Sequence, residues 1–207
     1  MSKLRILLAT SNQGKLRELR DMTKFLDVEI ISWKDLPHHP AIEETGTTFE
    51  ENAISKARQA AVFSGLPALA DDSGLEVDAL DGRPGVYSAR YAGPGASDAD
   101  RIIKLLDELD GVSQDRRTAR FRCVAAFVDP TGPLGERVHV TTGVCEGRIL
   151  THPVGAGGFG YDPVFFHPPS NKTFAELKPE EKNRISHRAM AMKAMVSFLE
   201  KYLMKMP

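Results

Sequence analysis

The run Thr10-Ser11-Asn12-Gln13-Gly14-Lys15 could hold an anion, and of two acidic pairs, Glu43-Glu44 and Asp71-Asp72, the second is placed to hold a divalent cation. The run sits where an apolar stretch, Leu4 to Ala9, gives way to Leu16, Leu19, Met22 and Leu26 at helical spacing. Free backbone N–H groups and the positive end of a helix dipole gather at such a junction and favour a phosphate-type anion. Ser11 and Asn12 add hydrogen-bonding side chains, Gly14 lets a ligand approach the backbone, and Lys15 supplies positive charge. The P-loop pattern is absent, since it needs a second glycine ahead of Gly-Lys. An ordinary strand-to-helix turn with an Asn cap and a surface lysine is the alternative.

Asp71-Asp72 follows the apolar residues Leu66 to Ala70 and precedes Ser73-Gly74. Successive strand residues face opposite ways, so one aspartate is expected to point into a site and the other to backbone or solvent. Oxygen-only ligands suit Mg²⁺, which takes one or two carboxylates together with waters and substrate phosphates. A turn or helix-cap role is the alternative. Phe159-Gly160-Tyr161-Asp162-Pro163 closes a glycine-rich loop that begins at Gly155. Its aromatics could form a slot for a planar base, or plug the core. Lys178, Lys182, Arg184, His187 and Arg188 lie at what reads as the start of the last helix. They form either a solvated face or a complement to a triphosphate.

The elements that must position these groups read as α/β. Strands at 4–10 and 28–32 flank a helix at 14–26. Thr48 can cap a helix in which Phe49, Ala53, Ala57 and Ala60 share one face. A short strand at 66–70 stops at the aspartates. Loop signals follow at Asp81–Gly85 and Ala92–Gly95, and Ser97 with Asp100 opens a helix carrying Ile102, Leu105, Leu106 and Leu109. Strands at 122–128 and 137–142 are joined by a turn at 129–133. The C-terminal helix carries Ala189, Met192, Val196, Leu199 and Leu203, with five of the seven methionines between Met190 and Met206 as core filler or a subunit contact. Pro37-His38-His39-Pro40 reads as a loop. The middle of the chain reads as a second lobe grown out of the first, without linker or repeat.

At 207 residues the chain fits one large domain or two closely packed lobes. Its 42% apolar and 27% charged content is that of a globular protein, and a formal net charge of -1 excludes a global basic field for nucleic acid or an anionic membrane. Arg116, Arg117, Arg120 and Arg122 form the densest basic cluster and are expected to make a solvated edge. No apolar run approaches the roughly 18 residues that span a bilayer. Met1 to Arg5 leads straight into a strand, so no signal peptide is expected, and with free thiols the expected compartment is the cytoplasm. Cys123 and Cys145 read as buried free thiols rather than a disulfide or zinc site.

Six motifs occur in order: Thr10 to Lys15, Glu44-Thr-Gly-Thr-Thr-Phe-Glu-Glu-Asn-Ala53, Ala70-Asp-Asp-Ser-Gly-Leu75, Pro84-Gly-Val-Tyr-Ser-Ala-Arg90, Phe159 to Pro163, and Ser186-His-Arg188. Together they closely resemble the inosine triphosphate pyrophosphatase family, also called Ham1-like or dITP/XTP pyrophosphatases, over about residues 5 to 200. The resemblance implies an elongated mixed β-sheet with flanking helices in two lobes, a central substrate cleft, and a homodimer. It implies hydrolysis of ITP, dITP or XTP to the monophosphate and pyrophosphate. By the same resemblance Thr10, Ser11, Asn12, Gln13, Gly14 and Lys15 would hold phosphates, while Glu44 and Asp72 would bind Mg²⁺. Asp72 would also accept the proton of the attacking water. Ser73 and Lys182 would contact substrate, and Phe159, Gly160, Tyr161, Asp162, His187 and Arg188 would form the base pocket. A nucleotide-binding module without hydrolysis and a protein-interaction domain are the rival readings.

Overall fold

Ile6, Leu7 and Leu8 are buried in succession, the pattern of a strand covered on both faces. They belong to β1 (Leu4–Leu8), which pairs in parallel with β2 (Val28–Ser32), Leu4 opposite Val28 and Leu8 opposite Ser32. The connection is α1 (Gln13–Thr23), whose Leu16 and Leu19 are buried. In the computed structural model, residues 3–10, 12–36 and 44–205 are described. Ser11, Glu43 and the 37–40 loop lie outside them.

From Thr48 onward the expected cap is present. Its hydroxyl accepts from Glu51 N at 3.1 Å and Glu51 returns the bond, opening α2 (Phe49–Ser64). Phe49, Ala53, Ala57 and Ala60 are all buried along it. β3 (Ala68–Val77) then pairs in parallel with β1, Leu7 opposite Ala68. It does not stop at the aspartates, as expected, but runs five residues past Asp72. The strand continues because each carboxylate finds a cation or amide inside the fold.

α3 (Asp98–Glu108) starts at the expected Ser97–Asp100 capping box. β4 (Thr118–Asp129) and β5 (Gly135–Ile149) are longer than their apolar segments because their polar positions carry a charge ladder. In it Arg120 pairs with Asp78 at 3.0 Å and Glu146 at 3.1 Å, and Arg122 with Glu76 at 3.1 Å. β6 (Phe165–His167) and β7 (Lys172–Thr173) complete a mixed sheet in the order β2-β1-β3-β4-β5-β6-β7. The last helical stretch is two helices, α4 (Pro179–Ile185) and α5 (His187–Leu203). Ser186 interrupts them at ψ 150°, where its hydroxyl accepts from Ala189 N.

The solvated edge expected of the arginine cluster fails at Arg117. That side chain is buried and donates to the carbonyls of Leu109, Val112 and Leu150. The methionines divide as well: Met192 and Met195 are core, while Met190 and Met204 are exposed. Cys123 and Cys145 are buried free thiols, and burial lifts the Cys145 thiol to about 11.

Two compact units divide the chain, one of residues 1–72, 124–142 and 191–207, the other of 73–123 and 143–190. The backbone passes from the first to the second between Asp72 and Ser73, inside β3. The second unit has its own core, in which Phe121 packs 4.5 Å from Phe165 and 5.6 Å from Phe174, ring centre to ring centre.

Candidate functional site

In the first unit α2 brings Asn52 and Lys56, one helical turn apart, to the carboxylate of Asp72. Asn52 is fully buried; its amide donates to Asp72 Oδ2 at 3.0 Å and its carbonyl accepts from Gly46 N at 2.8 Å. A donor on one side and an acceptor on the other leave only one orientation for that amide. Gly46 has to be glycine here, since a Cβ would lie 2.7 Å from Asn52 Oδ1. Lys56 Nζ reaches Glu44 Oε1 at 2.7 Å and Asp72 Oδ1 at 3.1 Å, so the two carboxylates converge on one cation. Burial pushes the Asp72 carboxyl above its ordinary range, as does the charge of Glu44, against the pull of Lys56 and Asn52. For Lys56 burial acts downward, yet the charges of Asp72 and Glu44 outweigh it and raise its pKa.

Asp71 does not face solvent or backbone alone. Both of its oxygens accept from Lys15 Nζ, at 2.7 and 2.8 Å, and its side chain is buried. The adjacent aspartates thus each have a lysine of their own. Ahead of Lys15, Asn12 is the helix cap that the sequence offered as one reading. Its side chain accepts from Gly14 N at 2.8 Å and Lys15 N at 3.3 Å, and Thr10 Oγ1 accepts from Asn12 N at 3.2 Å. Gln13 is exposed at the first position of α1.

The second unit gathers the other expected residues. Asp162 is buried, accepts from Phe159 N at 2.8 Å, and is ion-paired with Lys182 of α4. Lys182 Nζ also lies 4.5 Å from the ring centre of Phe159, and the Arg188 guanidinium carbon lies 6.0 Å from it. Arg188 donates to Ser73 Oγ at 3.3 Å. His187 is buried, its ring stacked 4.8 Å from Phe121. Of the two aromatics proposed to flank a base, only Phe159 is available, at 57% exposed. Tyr161 is core, and its hydroxyl donates to Ser88 O at 2.9 Å.

Asn52 and Lys56 escaped the reading of the sequence. The available signal was a polar pair at i and i+4 bordering the alanine face of α2, where a solvent-facing pair would sit opposite it. Among the described residues no group of three or more His, Cys, Asp or Glu gathers to hold a metal. The donor set of Glu44 and Asp72 is two carboxylates, the number Mg²⁺ accepts when phosphates and waters supply the rest. Their convergence on the Lys56 ammonium shows a place built for positive charge.

The model of the Ham1 family matches residues 6–198. A dITP/XTP pyrophosphatase of Desulforamulus reducens is 51% identical over 198 residues, covering 96% of this chain and 96% of that protein. One from Geobacillus kaustophilus is 53% identical over 90% of each chain. Among solved structures, a HAM1 protein from Coxiella burnetii superposes with a TM-score of 0.90 at 46% identity, covering 96% of this chain and 99% of its own. A nucleoside-triphosphatase, or dITP/XTP pyrophosphatase, from Mycobacterium abscessus gives a TM-score of 0.79 at 41% identity, covering 95% and 100%.

Proposed function

The chain belongs to the Ham1 family, and on that premise we propose that it hydrolyses dITP, ITP and XTP to the monophosphate and pyrophosphate, clearing non-standard purines from the nucleotide pool. The observation that carries the reading is the buried Asp72 carboxylate, held on both oxygens by Asn52 and Lys56 with Glu44 on the same lysine.

Water attacks the α-phosphorus, the bond from that phosphorus to the bridging oxygen breaks, and pyrophosphate leaves. Asp72 accepts the water's proton. A carboxyl pushed upward by burial is the stronger base, and each carboxylate oxygen keeps a lone pair beyond its bond to Asn52 or Lys56. Bound by Glu44 and Asp72, Mg²⁺ would neutralise charge on the phosphate oxygens. Thr10 to Lys15, with Lys182, serve the phosphates; Ser73 contacts substrate. Phe159, Gly160 and Asp162, with His187 and Arg188, serve the base, and Tyr161 holds their loop to the core. Hypoxanthine and xanthine carry an oxygen at position 6 that accepts from such donors. Adenine carries an amino group there and would leave donor facing donor. Both units act as one functional domain in this proposal, as a homodimer in the cytoplasm. Among the described residues no helix is long and apolar enough to cross a membrane.

The test is ITP with Mg²⁺, products resolved by chromatography. IMP and pyrophosphate are expected; IDP and orthophosphate as first products would reject the assignment. Asp72→Asn should lose ~10²–10⁴-fold in turnover, the usual worth of general-base assistance, at an unchanged circular dichroism spectrum. A folded variant within tenfold of the parent would transfer the base to another carboxylate, Asp71 first.

A further inference from the structure

Asp98 stands at the first position of α3, yet it does not cap that helix. Capping is done by its neighbours, since Ser97 Oγ accepts from Asp100 N at 3.2 Å and Asp100 Oδ2 from Ser97 N at 2.9 Å. The Asp98 carboxylate is turned elsewhere. Its Oδ2 accepts from Gly160 N at 2.6 Å, sixty-two residues away, and its Oδ1 is ion-paired with Arg101. A carboxylate that takes a backbone N–H makes a strong, directional bond. The Gly160 N–H belongs to the peptide group that joins it to Phe159, so the bond holds the backbone from which the Phe159 ring leaves, while Gly160 itself has φ at +60°.

Arg101 extends the same clip. It donates to the carbonyls of Ala89 and Ala96, both at 2.8 Å. Next to Ala89, the Ser88 carbonyl accepts from the Tyr161 hydroxyl, and the Ser88 hydroxyl accepts from Leu75 N at 2.9 Å. The loop is therefore held on either side of its exposed aromatic. Asp162 binds Phe159 N, Asp98 binds Gly160 N, and Tyr161 is tied to the segment that Arg101 anchors.

We infer that Asp98 is a positioning residue for purine recognition: through Gly160 N–H, with Arg101 fixing its orientation, it sets the Phe159 ring against the base. The inference rests on the reading that the Phe159 loop contacts the base. It has a selectivity consequence that a fold-stabilising role lacks. With its Gly160 anchor lost, the loop samples several ring positions, and binding of the base weakens while chemistry at the α-phosphorus proceeds.

The experiment compares Asp98→Ala, Asp98→Asn, Ser97→Ala and Phe159→Ala with the parent, in Mg²⁺, for ITP and ATP. Removing one charge-assisted bond should raise KM for ITP about tenfold with kcat within about twofold, and narrow the preference for ITP over ATP. The Gly160 amide, followed by hydrogen exchange in NMR spectra, should lose protection. Asp98→Asn keeps an acceptor without the charge and should fall between Asp98→Ala and the parent. Ser97→Ala breaks only the helix cap, so it should lower Tm and leave KM and the ITP preference alone. A folded Asp98→Ala protein with parental KM, preference and Gly160 protection overturns the inference. Should that variant not fold, Asp98→Asn decides: faster Gly160 exchange with a raised KM supports the inference, and parental values for both overturn it. Phe159→Ala separates the two failures. If it leaves KM for ITP unchanged, the loop does not read the base; if it raises KM while Asp98→Ala does not, only the role of Asp98 falls.

Discussion

A single ammonium, that of Lys56, lets Glu44 and Asp72 stay close together inside the fold. Two carboxylates converging without a cation would repel, and one would be forced to keep its proton. Asn52 completes the arrangement by fixing the other Asp72 oxygen and the backbone of Gly46 at once. Its replacement therefore has a defined cost. Asn52→Ala strips the partner from a buried carboxylate oxygen and from the part-buried N–H of Gly46, and a buried polar group left unpaired costs about 1–3 kcal/mol. A fall in Tm is expected, together with a loss of turnover as Asp72 turns freely, measured by thermal scan and by pyrophosphate release. An unchanged Tm would mean that water replaces the amide without loss. At this scale the aspartates were legible because they follow an apolar strand. Their partners were not, since an asparagine and a lysine on a helix ordinarily face solvent. Only the fold of α2 against β3 makes them internal. The two aromatics of the glycine-rich loop divide between the readings open to them: Tyr161 plugs the core, with its hydroxyl donating to Ser88 O, and Phe159 is exposed.

Elements with an apolar period were readable and those that break it were not. The cap of α2 and the capping box of α3 announce themselves in Thr48 and in Ser97 with Asp100, because the cap is a local arrangement. β3 looked finished at Asp71 because strand reading depends on apolar residues, and the pairing of both acids with lysines is a tertiary event. The division of the last helix at Ser186 was hidden because Lys178 to Arg188 is polar apart from Pro179 and Ile185, and neither glycine nor proline stands at the break. Arg117 is the clearest case of a side chain that ties elements together. Its fork meets Leu109 and Val112, beyond the end of α3, and Leu150, beyond β5. A lysine has one nitrogen and cannot reach three diverging carbonyls. Arg117→Lys should therefore lower stability by about 1–3 kcal/mol in urea unfolding, through carbonyls left unsatisfied, with KM for ITP unaltered. A loss under half of that would place the carbonyls in contact with water instead.

For the whole molecule, a net charge of -1 arises from 28 acidic and 27 basic side chains, so paired charges rather than net repulsion govern how stability varies with pH. Several carboxyls lie below their ordinary range. The Asp78 carboxyl is lowered chiefly by the Thr118 hydroxyl and Glu108 by the Tyr91 hydroxyl, each with an arginine adding to it. Ser32 N–H does the same for Asp35. For Asp98 burial acts upward, and the Gly160 N–H and Arg101 outweigh it. A carboxyl lowered in the folded state binds fewer protons there than in the unfolded chain at acid pH. Its contribution is complete above the unfolded value and disappears as pH falls through the folded one. Asp72, which is raised, works in the opposite sense, and the raised Lys56 loses its contribution only as pH climbs above the ordinary lysine range. Burial also lowers His139 and His167, so stability is expected to begin to fall as the medium passes below the ordinary histidine range, and to drop further below about pH 4, where ordinary carboxyls take up protons. Thermal scans from about pH 7 to about pH 3 check this, with Glu108→Gln as the comparison. That variant removes a group bonded to both Tyr91, at 2.7 Å, and Arg83, at 2.6 Å, so its Tm should start lower and fall less steeply with acid. A parent whose Tm does not change over that interval, or a variant with an equally steep acid limb, would show that these hydrogen-bonded carboxyls do not govern acid stability.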